Sequence, residues 1–117
     1  MDKTSLLENF NEFVVNVQIE NRAYITLPDW LEYYLRQIED QIQKLLLAGE
    51  IPLSYDQISE AFDLVTDAWD IFVIHIRRVY LEIRPQSIIS RLKSALRILE
   101  SSNTHAFRQL FNLRSAV

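Results

Sequence analysis

The most regular pattern of apolar residues in this chain lies between residues 55 and 84. Apolar side chains recur there at alternating steps of four and three, which is typical of a helix with one apolar face. At a rise of ~1.5 Å per residue this face is roughly 38 Å long. We therefore predict a long helix over 55–84 against which shorter helices pack. Its apolar positions are Ile58, Phe62, Val65, Trp69, Phe72, Ile76, Val79 and Ile83.

A second stretch, 28–48, repeats this spacing and predicts another helix. Pro28 suits its first turn, because the missing N–H would have no partner there. Gly49, the only glycine, stands where a left-handed C-terminal cap is favoured. Two pairs of opposite charge lie four residues apart on the other face, which stabilises an exposed helix surface. The apolar positions are Leu31, Leu35, Ile38, Ile42 and Leu45, and the pairs are Glu32 with Arg36 and Asp40 with Lys44.

Two capping boxes predict helix starts. Ser54 and Gln57 begin the 55–84 helix, since a serine hydroxyl and a side chain three residues later can bond each other's backbone N–H. Ser5 and Glu8 predict a first helix that runs to about Gln18.

Residues 13–27 also allow a different structure. Apolar and polar residues alternate on both sides of Glu20 and Asn21, so this segment could be a β-hairpin, although its turn lacks the favoured glycine. The capping signal at Ser5 favours a helix followed by an extended loop. The sequence alone does not decide between the hairpin and the helix with its loop.

After residue 84 the pattern predicts two shorter helices. Pro85 ends the 55–84 helix because it has no N–H to donate, and Ser87 can cap a helix to about residue 100. A polar break at 101–104 then separates a last helix over 105–114. We expect that last helix to dock onto the bundle or a partner chain. Apolar residues of the first helix are Ile88, Ile89, Leu92, Ala95, Leu96, Ile98 and Leu99, and those of the second are Phe107, Leu110 and Phe111.

Composition supports a single all-α domain over 1–117, a four-helix bundle with a short additional C-terminal helix. Apolar residues make up 49% and charged residues 24% of the 117 positions, as in ordinary globular domains. With one glycine and three prolines the chain offers few tight turns, which favours long helices over short strands. The absence of cysteine excludes disulfides and thiolate chemistry. No signal-peptide pattern or membrane-spanning run occurs, so we expect a cytoplasmic protein with no membrane partner.

Charge is divided unevenly along the chain. Residues 1–70 have a balance of −10 and residues 71–117 a balance of +6. Within the 55–84 helix, five carboxylates follow one another at steps of four and three, and we call this row the acidic stripe. It could be solvated surface, it could be neutralised by arginines of the second half or of a second copy, or it could bind Mg²⁺. The acidic stripe is Asp56, Glu60, Asp63, Asp67 and Asp70.

The magnesium hypothesis has one concrete form. Residues 39–43 and 60–63 are similar to the two-helix pattern by which MazG-like nucleotide pyrophosphohydrolases hold Mg²⁺. The resemblance implies an all-α hydrolase with Glu39, Asp40, Glu60 and Asp63 as ligands. Asp40 and Gln43 both stand where the family has glutamate, so one carboxylate ligand is missing.

The sequence contains no motif for other kinds of catalysis. His75 and His105 are thirty residues apart, and His75 flanks the apolar face, as a partly buried core histidine would. A single glycine excludes a Gly-rich phosphate loop. The cations of the second half could follow a phosphate backbone, but a pI of about 5.1 disfavours nucleic acid. Six of the eight cations of the second half fall within twenty-one residues: Arg77, Arg78, Arg84, Arg91, Lys93 and Arg97.

We therefore predict a small non-enzymatic interaction module (an adaptor, regulator or assembly subunit) that needs no cofactor and acts as a homodimer. The 55–84 helices of two copies would run antiparallel, so that basic residues of one copy meet acidic residues of the other. The alternatives are a Mg-dependent MazG-like hydrolase and a nucleic-acid-associated protein. The predicted partner-binding residues are Asp63, Asp67, Asp70, Arg77, Arg78, Arg84, Phe107 and Phe111.

Overall fold

Within the described residues the chain forms four helices and no strand. The computed structural model describes residues 2–24, 27–77 and 85–115, with side chains over 2–19, 27–75 and 86–101. The predicted all-α bundle is confirmed. The helices are α1 (Lys3–Tyr24), α2 (Asp29–Leu47), α3 (Tyr55–Arg77) and α4 (Pro85–Ser115).

Each helix packs against two others, and two pairs lie at opposite corners of the bundle. The contacting pairs are α1 with α2, α2 with α4, α4 with α3, and α3 with α1. Consequently α2 and α3 are diagonal, although they follow each other in the chain. The connection between them therefore crosses the end of the bundle, and its Leu53 is buried in the core. The interface of α3 with α4 is the most extensive, and that of α1 with α3 the least.

The core face of α2 agrees with the sequence pattern, since its five predicted apolar residues are all buried. Both predicted charge pairs are present on the opposite face, with Lys44 Nζ 3.1 Å from Asp40 Oδ2 and Arg36 paired with Glu32. On α4, among residues 86–101, the buried positions are Ile88, Leu92, Ala95 and Leu99.

The core face of α3 is rotated from the predicted one. Ile58, Val65 and Phe72 are buried as expected, but Phe62 and Trp69 are only partly buried. Ala61 and Ala68, fully buried, take their place. Each alanine directly precedes one of those aromatic residues, and a step of one position places the alanine on the other flank of the helix. Because Phe62 packs on α1, the alanines lie on the α4 side, where small side chains let two helices approach closely.

The start of α1 differs from the prediction. Ser5 N–H donates to Asp2 Oδ1 at 2.7 Å, so Asp2 is the cap and the predicted box of Ser5 with Glu8 is wrong. This hydrogen bond lowers the pKa of the exposed Asp2 carboxyl, because it stabilises the charged form. The helix continues to Tyr24, so the hairpin reading of residues 13–24 is wrong and the helical one is longer than expected.

The turn between α2 and α3 forms as predicted. Gly49 has φ +79°, the left-handed conformation that ends a helix. At the start of α3, Gln57 N–H donates to Ser54 Oγ at 3.1 Å, and Ser54 N–H donates to Gln57 Oε1 at 2.8 Å. Pro28 directly precedes α2 and is not part of its first turn.

Replacing Ser54 by alanine is expected to lower the free energy of unfolding by ~1 kcal/mol, because it removes one half of this reciprocal cap. Urea denaturation measures the change. Ser94→Ala is the matched control, since its hydroxyl bonds only the Ser90 carbonyl of the preceding turn, at 2.9 Å. An equal loss in both variants would show that the Ser54 cap contributes nothing of its own.

The second half of the chain departs most from prediction. Pro85 is the first residue of α4, so Ser87 lies inside the helix and does not cap it. Residues 101–104 are helical as well, and the expected separate helix over 105–114 is the continuation of α4. With 31 residues α4 is longer than α3, which has 23. Residues 78–84, and the side chains of Ile76, Phe107, Leu110 and Phe111, lie outside the described part.

Candidate interaction surface

The acidic stripe forms the outward side of α3. All five of its carboxylate residues are exposed, and they stand on the side of the helix opposite Ile58, Val65 and Phe72. One further step of four leads to Ile74, which is 49% exposed. The outward side of α3 is therefore acidic along most of its length and apolar near its end.

The charge of this stripe is not balanced within the described part of the chain. None of its carboxylates forms an ion pair or hydrogen bond with another described residue, whereas two carboxylates of α2 have cationic partners. Like charges at these spacings repel by ~0.2–0.5 kcal/mol per step. A cationic surface that approached α3 from outside would relieve this repulsion.

Three partly buried aromatic residues of α1 and α3 form an aromatic row. We use this name for Phe13, Phe62 and Trp69, which are partly buried against the core. The Phe62 ring stacks on Phe10 with centroids 4.8 Å apart and is tilted against Phe13 at 5.7 Å. Trp69 follows Phe62 after two turns, and its ring lies 5.7 Å from Phe72. All three side chains are partly buried, so each keeps part of its surface in water.

The basic residues singled out in the sequence are described only in part, and none of those predicted to contact the stripe has a described side chain. Arg77 is the last residue of α3, and its side chain lies outside the described part, as do Arg78 and Arg84. On α4, Arg91 Nη1 donates to the Ser87 carbonyl at 2.8 Å and to Ser87 Oγ at 2.7 Å. Lys93 and Arg97 are exposed on the outward side of α4. Within the described residues, one chain does not bring its cations to its own acidic stripe.

The four carboxylates of the magnesium hypothesis are not brought together. Glu39 accepts hydrogen bonds from Gln18 Nε2 at 3.0 Å and Gln43 Nε2 at 3.3 Å, while Asp40 pairs with Lys44. Glu60 and Asp63 lie on α3, diagonally opposite α2. No group of three potential metal ligands exists among the described residues. The arrangement thus lacks the convergent ligands that the resemblance to MazG-like enzymes implies.

His75 has the structural role expected of a core histidine. It is partly buried, and its Nδ1 lies 2.8 Å from the Ile71 carbonyl oxygen. Because a carbonyl only accepts, Nδ1 carries the proton in this contact. The contact satisfies the ring nitrogen within α3.

Several exposed apolar side chains were not singled out by the sequence pattern. Ile19, Tyr33, Leu47 and Ile74 are all at least 49% exposed. Ile74 has a recognisable signal, since it continues the spacing of the acidic stripe. The others carry none, because a single apolar residue on a polar face is common in soluble proteins.

None of the described helices is both long and apolar enough to cross a membrane. No model of a known protein family, no curated protein and no solved structure matches this chain.

Proposed function

We propose that this chain is a small non-enzymatic interaction module, an adaptor, regulator or assembly subunit, that acts as a homodimer. The single observation that carries the proposal is the acidic stripe, which is exposed and has no cationic partner within the described residues. Its complement is present in the same sequence, because residues 71–117 have a charge balance of +6. Two copies could therefore neutralise charges that the described residues of one copy leave unpaired.

A two-fold arrangement suits this division of charge. The acidic first half of each copy meets the basic second half of the other, so every contact occurs twice and the assembly closes. Arg77, Arg78 and Arg84 are the predicted cations nearest to the end of α3. Apolar burial around Ile74 would contribute most of the affinity, and the charges would set the orientation.

Reversing Asp63 and Asp67 to lysine is expected to weaken the dimer, because both exposed carboxylates are replaced by charges that repel the basic half. We expect the dissociation constant to rise by roughly tenfold or more, a change of ~1.4 kcal/mol or more. Sedimentation equilibrium at micromolar concentration, at low and at high salt, measures it. The wild-type dimer should weaken with salt, since these charges are exposed.

The matched control is the pair Glu8→Lys and Glu12→Lys. These residues are also exposed and four positions apart, but they lie on α1, so the same change in net charge should leave the dimer intact. Equal weakening in both variants would assign the effect to net charge and not to the stripe. A wild-type chain that sediments at the monomer mass of 13.8 kDa would overturn the proposal.

A further inference from the structure

Two cations on the outward side of α4 have no partner within the described part of the chain. Lys93 and Arg97 are both exposed, and they lie one turn apart on the side of the helix opposite the buried Ile88 and Ala95. Neither forms an ion pair or hydrogen bond with a described residue. These two charges are therefore unbalanced in the same way as the carboxylates of the acidic stripe, and they have the opposite sign.

The helices α3 and α4 run antiparallel. Residues 78–84 separate them, and a connection of seven residues reaches less than ~30 Å even when it is fully extended. A parallel α4 in so extensive an interface would need a connection that returns along the whole of α3, which is ~34 Å long at 23 residues. Both helices enter the core within five residues of the connection, at Phe72 and at Ile88. Heights along the bundle can therefore be counted from the connection.

The two cations lie at the height of the middle of the acidic stripe. Asp70 and Asp67 precede the end of α3 by seven and ten residues, whereas Lys93 and Arg97 follow the start of α4 by eight and twelve. At ~1.5 Å per residue these positions are ~10–15 Å and ~12–18 Å from the connection. Adjacent helices thus present opposite charges at matching heights, and both rows of charge point away from the core.

The surface beside the stripe, on its α4 side, is partly apolar. Leu64 and Ile71 are partly buried against the core, and each follows one of the buried alanines, Ala61 and Ala68, by three positions. Ile74 is 49% exposed one turn beyond the stripe. This side of α3 therefore combines unpaired charge with apolar surface that a second helix could cover.

We infer that α3 of each copy packs against α4 of the other along the outward sides of both helices. Lys93 and Arg97 of one copy then contact the acidic stripe of its partner. This inference rests on the proposed homodimer and identifies the cations that meet the stripe. It replaces Arg77 in that role, because Arg77 ends α3 and is ~10 Å from Asp70 along the helix axis.

A two-fold axis parallel to the helices produces this arrangement. Rotation about such an axis exchanges the two copies and keeps every residue at its height, so α3 of one copy faces α4 of the other with carboxylates and cations level. Each contact occurs twice and the assembly closes after two copies. Opposite charges at one height set the alignment of the copies, and burial of the apolar surface beside the stripe adds affinity.

The first experiment reverses both cations, with Lys93→Glu and Arg97→Glu in the full-length chain. The dissociation constant of the dimer, measured by sedimentation equilibrium at low salt, should rise by roughly tenfold or more, because each attractive contact becomes repulsive and occurs twice. The far-UV circular dichroism should remain as in wild type, since both side chains are exposed. An unchanged dissociation constant would overturn the inference.

Two controls accompany this variant. The exchange of Lys93→Arg with Arg97→Lys keeps the charge at both positions and should dimerise as wild type does. Reversal of Arg36 and Lys44 to glutamate changes the net charge equally on exposed positions of α2, and it should also leave the dimer intact. Equal weakening by the α2 variant would assign the effect to net charge and count against a contact at α4.

A charge exchange tests the pairing of the two surfaces directly. One chain carries Asp63→Lys and Asp67→Lys, and the other carries Lys93→Glu and Arg97→Glu. Each should dimerise weakly alone, because α3 and the facing α4 then have the same sign. An equimolar mixture should form a heterodimer, because both contacts are again complementary.

The outcomes separate this inference from the proposed function. If the stripe variant dissociates and the α4 variant dimerises as wild type does, the inference is overturned and the homodimer stands. If both variants dissociate and their mixture forms no heterodimer, the stripe does not meet α4 and the inference is again overturned. A monomeric wild-type chain would overturn both.

Discussion

Replacing Phe72 by alanine is expected to lower the free energy of unfolding by ~3–5 kcal/mol. The Phe72 side chain is 1% exposed, and the rings of Trp30 and Trp69 lie against it, with centroids 6.5 Å and 5.7 Å away. It fills the space between α2 and α3, whose backbones are not in contact, so the surrounding helices cannot close the cavity. For a domain with a total stability of ~5–15 kcal/mol such a loss leaves the fold marginal.

Urea unfolding of Phe72→Ala and Trp69→Ala, measured side by side, tests this assignment. Trp69 is the larger residue, but it lies at the edge of the core and keeps part of its surface in water. Its replacement should therefore cost less, ~1–3 kcal/mol. If Trp69→Ala proves more destabilising than Phe72→Ala, the core face of α3 passes through Trp69 and the rotation described above is wrong.

Replacing Ala68 by leucine is expected to destabilise the fold by ~1–3 kcal/mol, although leucine is the more hydrophobic residue. Ala68 is fully buried on the flank of α3 that faces α4, in the most extensive interface of the bundle. Three added carbon atoms would have to push the two helices apart or force neighbouring side chains out of their preferred rotamers.

Ala48→Leu provides the comparison, because Ala48 is exposed at the end of α2. There the change should stay within ~0.5 kcal/mol of wild type. Thermal or urea unfolding of both variants gives the difference. A stabilised Ala68→Leu protein would indicate an unfilled space between α3 and α4 and would contradict their close approach.

Local signals alone determined a good part of this fold. On α2, apolar residues at steps of four and three gave a core face whose five members are all buried. Gly49 and the Ser54–Gln57 box could be read from neighbouring residues, because a left-handed turn and a cap involve only a few successive positions. The exposure of the acidic stripe could also be predicted, because burying carboxylates without partners costs a large free energy of desolvation.

Packing between helices decided which residues occupy the centre of the core face of α3. Ala61 and Ala68 add little to an apolar pattern, so the sequence favoured the larger Phe62 and Trp69 as core residues. In the bundle, α3 makes its most extensive contact with α4 and its least extensive with α1. The alanines are fully buried, whereas Phe62 packs on α1 at the edge of the core. A periodic pattern reports which side of a helix is apolar, but not how far away the neighbouring helix lies.

Contacts between positions that are distant in the chain could likewise not be predicted from local sequence patterns. Glu39 and Asp40 precede Glu60 and Asp63 with a spacing that resembles a metal site, yet α2 and α3 occupy opposite corners and keep the four apart. Residues 101–104 appeared as a break because serine, asparagine and threonine are weak helix formers, and α4 runs through them. Local preference amounts to a fraction of a kcal/mol per residue. The sequence therefore determined that the chain is helical, the core face of α2 and the turn before α3. Contacts between helices decided the core face of α3, the length of α4 and which faces meet.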